Sequence, residues 1–102
     1  MALETEPYDV AEDLDSDEMI AAYLTESLEG NNPRHIVKAL AAVARARGGI
    51  VQVAKDTGIS VEELTRALEA GGNPTLETLL KLVQAFGVKM SFSTAGQQPV
   101  AA

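Results

Sequence analysis

"AKDTGISVEELTRALEAGGNP" spans residues 54–74 and decides how the rest of the chain is read. Lys55, Asp56 and Thr57 end one short helical segment, and Gly58 can take the left-handed conformation that turns the chain. Ser60 caps a second helix, with Glu63 three residues on as its capping-box partner. Leu64, Ala67 and Leu68 then face inward, and Gly71-Gly72 ends the helix. A small residue at Ala54, a turn glycine, an apolar plug at Ile59 and inward Leu64 and Ala67 are what two helices need to cross closely. That spacing points to a helix-turn-helix, a motif whose second helix enters the DNA major groove. Yet the second helix opens with Glu62 and Glu63, which is unusual for a reader of a polyanion.

Outward from this stretch, the same local rules delimit four more elements. Residues 1–14 lack a clear period and should be extended or loosely ordered. Asp15 with Glu18 resembles a capping box, and Met19, Ile20, Tyr23, Leu24 and Leu28 follow at helical spacing over 16–29. Gly30-Asn31 stops that helix. Asn32-Pro33 starts the next, with Asn as N-cap and Pro at the first position. Ile36, Val37, Leu40, Val43 and Ala44 form its stripe, closed by Arg45, Arg47 and Gly48-Gly49. A short helix over about 50–57 carries Val51, Val53 and Ala54. After Asn73-Pro74-Thr75, a last helix places Leu76, Leu79, Leu80, Val83 and Phe86 on one face. "VKMSF" (88–92) alternates and could be one short strand. The expected class is all-α: a five-helix bundle with at most one C-terminal strand. Residues 1–30 read as an acidic leader with the first helix, 31–92 as the helix-turn-helix domain, and 93–102 as a disordered tail.

Composition narrows the function. The 102 residues suit one domain, with a net charge of −7 and no cysteine. Ten of the fifteen acids fall in residues 1–30, which hold no Lys or Arg. The remainder carries all eight basic residues and five acids, for +3. Such asymmetry hints at two partners of opposite charge, although a charged leader can simply aid solubility. A single histidine, His35, and no cysteine give no basis for a metal cluster or a nucleophile–base pair, so no enzyme and no cofactor are expected. No apolar run nears the roughly 20 residues of a membrane span. No signal peptide is evident, and a cytoplasmic protein is expected.

The fuller pattern resembles a known family. "IVKALAAVARARGG" (36–49) followed by "VAKDTGISVEELTRALEAGGNPTLETLLKLVQAFGVKMSF" (53–92) resembles Cro/lambda-repressor-like domains, and within them the HigA-like addiction-module antidotes. "YDVAEDLDSDEMIAAYL" (8–24) is similar to that family's N-terminal stretch. The resemblance covers about residues 8–92. It implies an antitoxin that binds a small RelE/ParE-like toxin and, commonly as a dimer, represses its own operon.

Candidate DNA-contacting residues follow from helix-turn-helix geometry. Ser60, Val61, Glu62, Thr65, Arg66 and Glu69 lie outward on the second helix. Arg66 suits a guanine, Val61 a thymine methyl and Glu62 a cytosine amine, while Thr65 could donate to a base or phosphate. Gln52, Lys55, Thr57 and Asn73 would position the backbone. Glu62 also stands four residues before Arg66, in the order that favours an ion pair, so the arginine could serve its own helix instead. Glu62 and the small body charge therefore leave a second reading open: an interaction scaffold that keeps the fold without binding DNA. A repressor without a toxin is a third, which the long acidic leader disfavours. For a basic toxin the candidates are Tyr8, Asp9, Asp13, Asp15 and Tyr23, because complementary charge steers encounter and interfaces favour tyrosine. Residues 76–92 are the expected dimer face, through edge pairing of 88–92.

Overall fold

The computed structural model describes residues 10–95. A 3₁₀ turn, Val10–Asp13, leads to five helices: α1 (Asp17–Ser27), α2 (Pro33–Ala46), α3 (Ile50–Thr57), α4 (Val61–Leu68) and α5 (Leu76–Ala85). The protein is all-α. α2 is the hub and touches the 3₁₀ turn, α1, α3 and α4, while α5 packs on α3. Its wide apolar stripe explains this role: Val37, Ala39, Leu40, Ala42, Val43 and Ala44 are all buried. Phe86, Ile20, Leu40, Leu64, Leu82, Val43 and Val53 are the largest fully buried side chains.

The caps show why the helices start where they do. Asn32 accepts from the Arg34 amide at 3.0 Å, with Pro33 at the first position of α2. Ser60 accepts from the Glu63 amide at 3.0 Å, and Thr75 from the Thr78 amide at 3.1 Å. Each satisfies a donor that the first helical turn leaves unpaired. Gly58 ends α3 in the left-handed conformation, φ 77°, as the turn requires.

Six expectations are corrected. The cap of α1 is Ser16, whose hydroxyl accepts from the Met19 amide at 3.1 Å; it is not the Asp15–Glu18 pair. Leu14 is buried in the core and the 3₁₀ turn packs on α2, so residues 10–14 are ordered. On α1 only Ile20 is fully buried, Tyr23 and Leu24 pack partly against the core, and Met19 and Leu28 are exposed. On α5 the inward face is Thr78, Leu79, Leu82, Val83 and Phe86, whereas Leu76 and Leu80 are 67% and 50% exposed. Leucines at 76, 79, 80 and 82 cover most of the helix circumference, so periodicity alone does not fix the phase. Residues 88–92 form no strand, and the described residues contain none. The Val88 amide bonds back to the Val83 carbonyl at 3.2 Å and closes α5. Beyond it, no neighbouring edge is present among the described residues for the chain to pair with. Val51, expected on α3, is exposed. Of the tail, residues 93–95 carry no helix or strand, and 96–102 lie outside the described residues.

Candidate functional site

The α3–α4 pair has the local geometry that the opening stretch requires. Ala54, Ile59, Leu64 and Ala67 are buried between the helices, and Gly58 turns the chain. Thr57 completes the turn. Its hydroxyl donates to the Val53 carbonyl at 2.8 Å and accepts from the Ile59 amide at 3.2 Å. Thr57, a candidate for backbone positioning, also holds the turn.

The outward face of α4 is open. Val61, Glu62, Thr65, Arg66 and Glu69 line one shallow surface depression. Thr65, expected to donate to nucleic acid, already donates to the Val61 carbonyl at 2.7 Å, which leaves only its lone pairs for a partner. Arg66 and Glu62 are both exposed, and no ion pair joins them. Gln52 donates to the Asp56 carboxylate at 3.0 Å along α3. Lys55 and Asn73 are exposed, as is Ser60 beyond its capping bond. The rim of α4 thus holds one arginine among two acids, and Glu63 is tied to the start of the helix through its amide.

The leader presents a second surface. Tyr8 and Asp9 lie outside the described residues. Asp13 and Asp15 are exposed on either side of buried Leu14, while Tyr23 is half-buried against the core. α1 packs on α2 through Ile20, Tyr23 and Leu24. Its opposite side carries Glu18, Ala22 and Thr25 at helical spacing, with Glu29 in the turn that follows. Ala21, Ala22, Thr25, Glu26 and Glu29 line a shallow trough there. Short side chains between carboxylates give that face a concave, negative profile.

One cluster escaped sequence reasoning. Arg47 donates to the Asp17 carboxylate and, at 3.0 Å, to the Phe86 carbonyl. The partners are 30 and 39 residues from Arg47, too far for any local pattern to reveal. No group of three or more His, Asp or Glu residues is placed to hold a metal among the described residues. No helix among them is long and apolar enough to cross a membrane.

A family model described as "Probable addiction module antidote protein" matches residues 4–94. An uncharacterized protein of Haemophilus influenzae is 43% identical over 89 residues, which make up 87% of this chain and 91% of that one. No solved structure matches significantly. The family match runs from the acidic leader through the α3–α4 turn to the end of α5. On that span the chain belongs to the family of probable addiction module antidote proteins.

Proposed function

We propose that this chain is the antitoxin of a two-component module, that it neutralises a small basic toxin of the RelE/ParE type, and that it represses its own operon. The observation that carries the reading is the division of surfaces. The acidic helix α1 is fastened by one side, and its other side, from Glu18 to Glu26 and on to Glu29 in the following turn, is free to meet a cationic partner. Exposed Asp13 and Asp15 extend the same negative field. At the other surface, Arg66 and Val61 line the open face of α4, from which a recognition helix would offer them to base edges. Lys55, Gln52 and Asn73 are the backbone-positioning candidates. Leu76 and Leu80, exposed four apart on α5 beside Glu77 and Lys81, suit a second copy of the chain. Dimerisation would bring two α4 helices to one operator.

Two assays test this. The first is co-purification with the product of the adjacent reading frame, comparing wild type with a Glu18→Lys/Glu29→Lys variant. The variant should lose the partner; retention by both would reject α1 as the contact. The second is binding to the chain's own promoter fragment across a salt series, with Arg66→Ala as comparison. Sequence-specific, salt-weakened binding that the substitution abolishes is expected.

A scaffold that binds no DNA is the alternative. It is favoured by Glu62 at the front of the open face and by the Thr65 donor being taken up by Val61. Equal affinity for promoter and random DNA at low salt would select it.

A further inference from the structure

Arg47 stands where three helix ends meet. It is the C-cap of α2. Its guanidinium reaches Asp17 in the first turn of α1 and the carbonyl of Phe86, the C-cap of α5. Helix electrostatics account for the arrangement. A cation lies at the negative ends of α2 and α5, and a carboxylate lies at the positive end of α1. The packing extends to Gly87, which follows Phe86. A Cβ there would sit 3.2 and 3.3 Å from the two Asp17 carboxylate oxygens. Asp17 therefore touches the chain as it leaves α5, both through Arg47 and directly.

The junction is built to be exchanged rather than sealed. Both side chains remain solvent-accessible, 34% for Arg47 and 59% for Asp17, so a competing cation can reach the carboxylate. Arg47 Nε is buried without a hydrogen-bond partner, so the guanidinium is incompletely satisfied where it is. A half-exposed pair of this kind is weak and sensitive to salt.

We propose that Arg47 is a latch coupling α1 to the chain that leaves α5, and that a cationic partner docking on α1 opens it by taking Asp17. The second part rests on the toxin-contact reading of α1. With Asp17 withdrawn, Arg47 loses its anchor and the Phe86 carbonyl loses a fixed donor. The segment after Gly87, which carries exposed Met90 and Phe92, is then freer to move. Coupling of this kind acts in both directions, so disturbing the end of α5 loosens the first turn of α1.

Amide hydrogen exchange on the full chain tests both directions. The reporters are Gly87 and Val88, bonded to Gln84 and Val83, at one end, and Met19 and Ile20, bonded to Ser16, at the other. Asp17→Asn should speed exchange at Gly87 and Val88 by about two- to fivefold. Gly87→Ala should speed exchange at Met19 and Ile20 beyond what Gly71→Ala does. Gly71 has an equivalent left-handed φ, 81° against 82°, but nothing within 4 Å of its Cβ position, so it reports backbone strain without the latch. A decalysine peptide, as cationic probe, should reproduce the Asp17→Asn pattern in wild type. An Asp17→Asn effect confined to α1, or matching profiles for the two glycine variants, would overturn the latch. No change at Gly87 and Val88 with decalysine would overturn its opening by cations. The Asp17→Asn and glycine comparisons use the free chain, so their failure leaves the toxin contact standing. Loss of that contact in co-purification leaves the intramolecular coupling standing.

Discussion

α1 and α4 begin alike and end up in different situations. Each has a serine N-cap that accepts from the amide three residues on, and each carries two acids in its first turn. α4 buries Leu64, Ala67 and Leu68 and is packed by both α2 and α3. α1 buries only Ile20 fully and packs mainly on α2. The same opening chemistry therefore yields a helix embedded in the core and a helix held at the rim. α4 is held on two sides by packed helices, which would suit the reading surface proposed for it. α1 is held by little buried area and an exposed ion pair, which suits a segment that meets a partner and adjusts to it.

Substitutions can break or sharpen this contrast. The largest effect is expected in the core of α4. Leu64→Ala should cost about 2–5 kcal/mol in denaturant unfolding, while Met19→Ala on the exposed flank of α1 should stay within about 0.5 kcal/mol. Comparable losses would mean that α1 is as embedded as α4. Next comes the exit of α4. A Cβ on Gly72 would lie 2.2 Å from the Ala67 carbonyl oxygen, so the backbone must move. Gly72→Ala should lower stability by about 1–3 kcal/mol, whereas Gly30→Ala, next to α1, meets only the far end of His35 at 3.9 Å and should be nearly silent. The caps come third. Ser60→Ala should cost about 1 kcal/mol of global stability. Ser16→Ala should instead show as fraying of α1, seen as faster amide exchange at Met19 and Ile20 with little change in the unfolding midpoint. Smallest is the Glu77–Lys81 pair on α5, at 3.2 Å and well exposed. Glu77→Gln should change stability by no more than about 0.5 kcal/mol.

The division between surfaces was partly legible before the fold. The charge split marked the leader, and Ala54, Gly58, Ile59, Leu64 and Ala67 marked the turn, because both signals lie within a few residues of each other. The contributions of Thr57 and Thr65 were not legible. A threonine hydroxyl can bond outward or to the carbonyl four residues back, and only the folded backbone shows which. The trough on α1 was equally hidden, because its apolar residues occupy two sides and only the packing on α2 distinguishes them.

What the sequence by itself determined are the features governed by neighbours three or four positions apart. These are the Asn32-Pro33 and Ser60 helix starts, the left-handed turn at Gly58, the wide stripe of α2 and the all-α class. Tertiary structure alone decided which leucines of α5 turn inward. It set the first turn of α1 at Ser16, just after buried Leu14, and left residues 88–92 without a strand to pair with. It also joined Arg47 to Asp17 and Phe86. The physical reason is range. Capping and periodicity act within one or two helical turns, whereas burial and the meeting of helix ends depend on residues 30 or more apart, whose proximity exists only once the chain has folded.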